Sequence, residues 1–190
     1  MTGLAPIACA IEVLLEPDGP ADRRPEGSSA SFWRAHIAEQ LGVPLGEVSL
    51  RSRAGAAPVA SVSGRELFIS FSRTLGARAC AVRRHGPVGV DVERVRALPE
   101  LREMIPLALH AEEIARLGAD PDDAGGFLES WTRKEAVLKA AGVGLRVDPR
   151  RVRLDRLVEG VGGAMLDGAA YETRVHRRGG LIVAFARPAD

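Results

Sequence analysis

The sequence predicts an α+β fold of two pseudo-symmetric halves, each a small antiparallel sheet packed on a long helix. Two observations support this prediction. Short aliphatic runs separated by turns that contain Gly or Pro are typical of antiparallel strands, and two longer segments, beginning at Phe32 and Phe127, have helical spacing or composition. The succession of strand, helix and strands occurs twice, which places the two halves at residues 1–85 and 86–190.

The first half begins with an apolar run at 7–15 that predicts a strand and stops at the breaker sequence Glu16-Pro17-Asp18-Gly19-Pro20. Apolar residues at helical spacing predict a helix over 32–41, with Ser31 as its cap and Gly42 after its end. Three further strands are predicted to complete this half, at 48–51, 67–71 and 77–82.

The second half begins with a predicted strand at 88–93. Residues 101–117 have a helical pattern that Pro106 must start or kink, and Glu113 within it is expected to be solvated. The segment 127–141 has the composition most typical of a helix, rich in Ala, Leu, Glu and Lys. Closing strands are predicted at 152–154, 171–176 and 181–186.

Two local similarities support the repeat. Residues 11–13 and residues 90–92 each place an acidic residue between two aliphatic ones. Each predicted helix is also followed by three aliphatic residues at the same internal spacing, which are Val43, Val48 and Leu50 in one half and Val147, Val152 and Leu154 in the other. This agreement is what a duplicated α+β unit predicts.

The composition excludes several classes of protein. The 190 residues are 46% hydrophobic and 27% charged, values typical of a folded globular chain. The net charge of +1 provides no basic excess for nucleic acid, and no apolar run approaches the roughly 18 residues that span a bilayer. Cys9 and Cys80 lack metal-ligand spacing and fit reduced thiols. We therefore expect a cytoplasmic protein that binds neither nucleic acid nor membranes.

Lysine is rare in this chain. Of the 26 basic residues 24 are Arg, and the two lysines, Lys134 and Lys139, lie five residues apart in one segment. Composition bias alone can leave two lysines in one place. Alternatively, a compact ammonium is required there, because a planar guanidinium cannot replace a point charge at every site.

Asp91 and Glu93 lie two residues apart on a predicted strand, so their side chains emerge on the same face. On an exposed face they would be solvated charges. The flanking Val88, Val90 and Val92 indicate instead a strand with a buried face, and two converging carboxylates need a cation or a proton between them. A hard divalent cation, Mg²⁺ by preference, suits such oxygen ligands.

Trp131, Glu135, Lys139 and Gly142 share one stripe of the predicted helix at 127–141. An exposed Glu–Lys pair at i, i+4 would contribute only about 0.2–0.5 kcal/mol and would carry no functional meaning. Because the stripe includes Trp131 in an otherwise apolar helix, we expect it to face the interior or a cleft. Glu135 would then add a third carboxylate to the two strand acids, with Lys139 one turn away to meet an anionic group.

These segments together resemble a known family. Residues 89–93 are Gly-Val-Asp-Val-Glu and residues 131–139 are Trp-Thr-Arg-Lys-Glu-Ala-Val-Leu-Lys. They match the two motifs G-x-D-x-E and W-x-x-K-E-x-x-x-K of the 4'-phosphopantetheinyl transferases. In size and doubled pattern the chain is similar to the monomeric, surfactin-synthetase-activating (Sfp) type rather than to the shorter trimeric holo-acyl-carrier-protein synthases. The resemblance is closest from about residue 67 to residue 154.

The resemblance implies a Mg²⁺-dependent or Mn²⁺-dependent enzyme that uses coenzyme A as substrate. It would transfer the 4'-phosphopantetheine arm to a serine of an apo acyl or peptidyl carrier protein and release adenosine 3',5'-bisphosphate. Asp91, Glu93 and Glu135 are the implied metal ligands, and Glu135 is also the implied base for the serine. Lys139 is expected to meet the departing phosphate. Lys134 is expected either to support it at the coenzyme or to be solvated.

The first half departs from the family pattern where coenzyme A is held. The family sequence S-H-S-G is here Ser70-Phe71-Ser72-Arg73, so Phe71 replaces a histidine that contacts phosphate. Ser70 remains an expected coenzyme contact, and Arg53 and Arg73 are candidate replacements for the lost basic contact. Two alternatives remain open. One is a non-enzymatic relative that binds a carrier protein or a nucleotide without transfer, and the other is a purely structural ion network.

Overall fold

The computed structural model describes residues 10–15, 29–51, 58–117 and 123–189. Its first part consists of β1 Ala10–Leu15, α1 Ser29–Leu41, β2 Val48–Arg51, β3 Val59–Val62, β4 Arg65–Thr74 and β5 Ala77–Arg83. Its second part consists of β6 Gly89–Arg94, α2 Leu101–Ala108, α3 Ala111–Leu117, α4 Ala124–Ala140, β7 Val152–Leu154, β8 Val161–Leu166, β9 Ala169–Arg178 and β10 Leu181–Pro188.

The strands form two five-stranded antiparallel sheets with the same topology. The strand order is β1-β5-β4-β3-β2 in the first sheet and β6-β10-β9-β8-β7 in the second. In chain order, each half has its long helix between its first and second strands. α1 lies between β1 and β2, and α4 lies between β6 and β7. The predicted α+β fold with two pseudo-symmetric halves is therefore confirmed. The matched aliphatic residues Val48 and Val152 open the equivalent strands β2 and β7, and both are buried.

The described elements pack as four layers, helix, sheet, sheet and helix. Trp33 and Ile37 of α1 pack on the outer face of the first sheet. Phe127 and Val137 of α4 pack on the outer face of the second sheet. Between the sheets, three alanines of β5 face larger apolar residues of β6 and β10, and the residues of this central cluster are Ala77, Ala79, Ala81, Val88, Val90, Val92, Leu181, Val183 and Phe185. Because the alanines are small, the two sheets approach closely, and the edge strand β6 lies against β4.

Within the described residues the strand predictions are correct in position except for two omissions, and residues 7–9 of the first predicted strand lie outside the described ranges. The strands β3 and β8 were not expected, because β3 is short and contains Ser61, and β8 contains the pair Gly162-Gly163. Serine and glycine carry little strand preference, so these segments form strands through their neighbours rather than through their own composition. β9 extends at both ends beyond the predicted 171–176. β10 begins as predicted at Leu181 and extends beyond the predicted end at residue 186.

The helices differ from expectation in three places. α1 begins at Ser29, so Ser31 lies inside the helix and is not its cap. The predicted helix at 101–117 is two helices, α2 and α3, because Leu109 is extended shortly after Pro106. α4 begins at Ala124, earlier than predicted, where the Asp123 carboxylate accepts a hydrogen bond from the Gly126 N–H at 2.9 Å. No helix within the described ranges is long and apolar enough to cross a membrane.

Candidate active site

Gly89, the first residue of β6, allows α4 to lie directly on this strand. A Cβ atom at Gly89 would be 1.9 Å from the carbonyl oxygen of Ala136 and 2.6 Å from the backbone nitrogen of Ala140. Both are backbone atoms that cannot move aside, so any larger residue would push the helix away from the strand. Glycine at this position therefore sets the distance at which Glu135 and Lys139 meet the side chains of β6.

Asp91 is the most buried acid of the site, with 5% of its surface exposed. Its Oδ1 atom accepts hydrogen bonds from the Lys139 ammonium at 2.7 Å and from the Ser72 hydroxyl at 2.7 Å. The Lys139 ammonium also donates to the carbonyl oxygen of Val90 at 3.1 Å. The second carboxylate oxygen of Asp91, Oδ2, is buried without a hydrogen-bond partner.

Glu93 and Glu135 are half-buried and lie near Asp91. Burial is the largest cause that raises the pKa of the Glu135 carboxyl, followed by the negative charge of Asp91. The pKa of Glu93 is raised for the same two reasons, although a hydrogen bond from the Thr74 hydroxyl at 3.2 Å partly opposes the shift. The Oε1 atom of Glu135 is buried without a partner. The negative charge of Asp91 therefore raises the proton affinity of both glutamates.

The carboxylate oxygens of this site are hard donors of the kind that a divalent cation such as Mg²⁺ takes. Oδ2 of Asp91 and Oε1 of Glu135 are unpartnered, and two oxygen atoms of this kind are favourable only when a cation or a proton is near. In the described part of the chain, however, no three side chains of His, Cys, Asp or Glu are grouped closely enough to hold a metal ion. Lys139 is the cation that neutralises Asp91 in this arrangement.

Lys134 is buried on another side of α4. The prediction that it is solvated or contacts the coenzyme is therefore wrong. Its side chain has no exposed surface, and its ammonium is 2.7 Å from the Glu113 carboxylate. The same ammonium donates to the carbonyl oxygens of Pro149 at 3.0 Å and Val152 at 2.7 Å. The physical reason is helical geometry, since neighbouring residues on α4 point about 100° apart. Lys134 therefore points toward α3 and β7, while Glu135 faces β6.

Glu113 completes this buried pair, so the expectation that it is solvated is also wrong. It is 3% exposed, and it accepts hydrogen bonds from the backbone N–H groups of His110 at 2.8 Å and Leu154 at 2.9 Å. Burial lowers the pKa of Lys134, and the hydrogen bond to Glu113 opposes that shift. The network ties α3, α4 and β7 together.

A groove of about 400 Å³ lies beside the carboxylates, between β4 and the turn that follows α4. Its walls are Pro58, Ile69, Ser70, Phe71, Lys139 and residues 142–146. Ser70 lines this groove, and its hydroxyl accepts a hydrogen bond from the Val90 N–H at 3.0 Å. A larger depression of about 610 Å³ at the far edge of the second sheet contains none of the motif residues, and its Arg150 and Arg151 pair with Asp148 and Asp167.

Phe71 stands where the family has a histidine, and Arg53 and Arg73 are its predicted replacements. Phe71 stacks on Trp33, with ring centroids 4.5 Å apart. It therefore belongs to the apolar cluster between α1 and the first sheet as well as to the groove wall. Arg73 is exposed and lies between two residues whose hydroxyls contact β6, so alternation along the strand directs it to the opposite face. Arg53 lies outside the described residues.

Three residues of this region were not predicted from the sequence. Ser72 and Thr74 hold Asp91 and Glu93, and their alternation with Ser70 along β4 is the pattern that could have indicated a shared face. Arg146 lines the groove, and its guanidinium donates to the carbonyl oxygens of Val143 and Gly142, both at 3.1 Å. No local pattern distinguishes it from the other arginines of an arginine-rich chain.

Comparisons with known proteins agree with this geometry. A model of the 4'-phosphopantetheinyl transferase superfamily matches residues 87–186, which is more than half of the chain and includes β6 and α4. The chain belongs to this superfamily. It is also 28% identical over 130 residues to the 4'-phosphopantetheinyl transferase HetI of Nostoc sp. (strain PCC 7120), a match that covers 66% of this chain. The chain spans about half of that relative, 55% of its length.

Proposed function

We propose that this chain transfers the 4'-phosphopantetheine arm of coenzyme A to a serine hydroxyl of an apo acyl or peptidyl carrier protein. The serine oxygen forms a bond to the phosphorus that bears the pantetheine. The bond from that phosphorus to the bridging oxygen of the pyrophosphate breaks. The serine proton passes to a carboxylate of the site, and adenosine 3',5'-bisphosphate leaves with the bridging oxygen.

One observation carries the proposal. Oδ2 of Asp91 and Oε1 of Glu135 are buried without hydrogen-bond partners, in a cluster of acids beside a groove that a lysine lines. A structural ion network would satisfy its own oxygens, as Glu113 and Lys134 do. Unsatisfied acids next to a groove instead fit a site that is completed by a ligand. Membership in the superfamily supports coenzyme A as that ligand.

Mg²⁺ or Mn²⁺ held by Asp91, Glu93 and Glu135 would neutralise the negative charge of the pyrophosphate and of the leaving phosphate. This assignment is part of the proposal, and the unpartnered oxygens support it. Glu135 is the proposed acceptor of the serine proton. Its raised pKa makes it a better base than an ordinary exposed glutamate, because a base works best when its pKa lies near the working pH.

Lys139 is the proposed contact of the departing phosphate. An ammonium group has three N–H donors, and two of those on Lys139 are used by Asp91 and by the Val90 carbonyl oxygen. The side chain is 26% exposed and lines the groove, so the third donor remains for a substrate oxygen. By contrast, all three donors of Lys134 have protein acceptors.

Arg146 is the proposed anchor for another phosphate of coenzyme A, in addition to the expected contacts Ser70 and Arg53. Two of its N–H groups are held by backbone carbonyl oxygens of the turn after α4, which fixes the guanidinium beside the groove. The remaining N–H groups can bind an anion with the geometry that favours arginine at phosphate sites. Since one chain supplies both walls of the groove, we also propose that the enzyme acts as a monomer.

The experiment that tests the function is mass spectrometry of an apo carrier protein after incubation with this chain, coenzyme A and Mg²⁺. We expect the carrier to gain the mass of one phosphopantetheine arm. A carrier whose acceptor serine is replaced by alanine should gain nothing, and exhaustive chelation should stop the reaction until Mg²⁺ or Mn²⁺ is restored. An unmodified carrier in the presence of the cation would contradict the proposed transfer. Full transfer after chelation would contradict the metal assignment.

A second candidate is a non-enzymatic relative that binds coenzyme A or a carrier protein without transfer. The stack of Phe71 on Trp33 favours it, because the family's phosphate-binding histidine is replaced here by a ring packed into the core. The same experiment separates the two candidates when calorimetry accompanies it. Binding of coenzyme A with no gain in carrier mass supports the non-enzymatic relative.

A further inference from the structure

Three hydroxyl groups on one face of β4 contact three residues of β6, which are Val90, Asp91 and Glu93. The Ser70 hydroxyl accepts from the Val90 N–H at 3.0 Å, and the Ser72 hydroxyl donates to Oδ1 of Asp91 at 2.7 Å. The Thr74 hydroxyl donates to Oε2 of Glu93 at 3.2 Å. We call these residues, Ser70, Ser72 and Thr74, the hydroxyl row.

The hydroxyl row joins the two sheets. β4 belongs to the first sheet and β6 is an edge strand of the second, so these hydrogen bonds cross from one half of the chain to the other. Ser70 and Asp91 are both 5% exposed, which places part of the row where water competes little for the hydrogen bonds. The row lies beside the alanine-lined cluster between the sheets, whose close packing fixes the separation of the two strands.

Each donor of the row takes one named oxygen of its carboxylate. Ser72 and Lys139 both bind Oδ1 of Asp91, so the carboxylate is held at one oxygen and Oδ2 is left without a partner. Thr74 takes Oε2 of Glu93. A carboxylate free to rotate would expose either oxygen, whereas one held by a hydroxyl presents the same oxygen to the site each time.

We propose that Ser72 and Thr74 are positioning residues that orient Asp91 and Glu93 for the cation. The first half then contributes directly to the geometry of the metal-binding acids, in addition to holding the coenzyme. Groups that hydrogen-bond to metal-binding carboxylates typically change metal affinity or activity by about 10- to 100-fold when they are removed. This inference rests on the proposed function for its turnover readout, and cation binding tests it separately.

The experiment compares Ser72→Ala and Thr74→Val with the wild-type chain in two titrations with Mg²⁺. One titration follows the rise in thermal midpoint of the protein saturated with coenzyme A, and the other follows transfer to the apo carrier. We expect both variants to need about 10- to 100-fold more Mg²⁺ for half of the maximal effect. We expect the KM for coenzyme A at saturating Mg²⁺ and the thermal midpoint without the cation to change little.

Two control variants keep the test specific. Thr74→Ser retains the hydroxyl and should restore the wild-type Mg²⁺ dependence. Ser61→Ala removes a hydroxyl of the neighbouring strand β3 that bonds Ser49 at 2.7 Å, and it should leave the Mg²⁺ dependence unchanged.

Several outcomes would overturn the inference. Wild-type Mg²⁺ midpoints in both Ser72→Ala and Thr74→Val would do so, as would a fall in thermal stability with unchanged Mg²⁺ midpoints, which would show a structural role only. A wild-type chain whose thermal midpoint responds to neither Mg²⁺ nor Mn²⁺ would also overturn it. If the wild-type chain binds Mg²⁺ but modifies no carrier, the transferase proposal fails, and the thermal titration still decides on the hydroxyl row.

Discussion

The two halves of this chain share a topology but differ in what their long helices place against the sheet. α1 packs Trp33 and Ile37 on its sheet, in an apolar and aromatic contact. α4 packs Phe127 on its sheet and also carries Lys134 and Glu135 toward different parts of the second half. The same strand order therefore supports a packing unit in one half and a site rich in charge in the other.

This difference shows that the fold alone does not define the site. A glycine that admits the helix, three acids and one lysine convert a helix-on-sheet contact into a candidate active site. The first half takes part through β4, whose hydroxyl row reaches the acids. Substitutions in α4, in the buried Lys134–Glu113 pair and at the Phe71–Trp33 stack separate these contributions.

The largest effect is expected for Glu135→Gln in α4. Loss of the base should lower kcat by about 10²- to 10⁴-fold, the range typical of general base catalysis. The thermal midpoint should rise at neutral pH. The folded-state pKa of Glu135 is raised. Between the unfolded-state pKa and this raised pKa, the folded protein therefore binds more protons than the unfolded chain. Stability therefore falls as pH rises, and the uncharged glutamine removes that loss.

Steady-state turnover and thermal melts measure both parts of this prediction. Glu112→Gln is the matched control, because Glu112 is exposed on α3 and should leave turnover and the thermal midpoint unchanged. A Glu135→Gln variant with wild-type turnover would remove this residue from the chemistry. A variant that is both inactive and less stable would show that Glu135 supports the fold.

Lys134→Met should have the largest effect on stability. It leaves the buried Glu113 carboxylate without its cation, which typically costs about 3–5 kcal/mol. Lys134→Arg should also destabilise, since the site is fully enclosed and matches three donors of a compact ammonium. Denaturant unfolding measures the change. The double variant Lys134→Met with Glu113→Leu should recover part of the loss, and a single variant that loses less than about 1 kcal/mol would contradict the buried pair.

The contrast between Lys134 and Glu135 also shows what the sequence could predict. The spacing of Asp91 with Glu93 and of Glu135 with Lys139 was sufficient to bring these residues together on one strand face and one helix stripe. The depth of Lys134 was not predictable, because its partner Glu113 lies on another helix and its remaining acceptors are backbone carbonyl oxygens. The hydroxyl row was missed for a related reason, since contacts between sheets depend on tertiary packing.

Lys139→Arg should lower turnover about 10- to 100-fold while the thermal midpoint changes little. Arginine at position 139 can keep the ion pair with Asp91, because the side chain at this position is partly exposed. Its larger planar group, however, cannot place a donor in the groove as the ammonium does. Carrier modification and thermal melts should be measured at saturating Mg²⁺, so that altered cation affinity does not enter the comparison. Equal turnover of Lys139→Arg and the wild type would leave the carboxylates as the only support for catalysis.

The smallest effect is expected for Phe71→His, which restores the residue of the family pattern. Loss of the stack on Trp33 should lower stability by about 0.5–1.5 kcal/mol. A restored charge-assisted hydrogen bond should tighten coenzyme A binding by about 1 kcal/mol, which is roughly fivefold in Kd. Calorimetry with coenzyme A and with 3'-dephospho-coenzyme A measures whether the gain depends on the 3'-phosphate, and Phe71→Leu is the control for the lost ring. If binding does not tighten, another residue already holds that phosphate, and Arg146→Gln should then weaken coenzyme A binding while leaving the 3'-dephospho form unaffected.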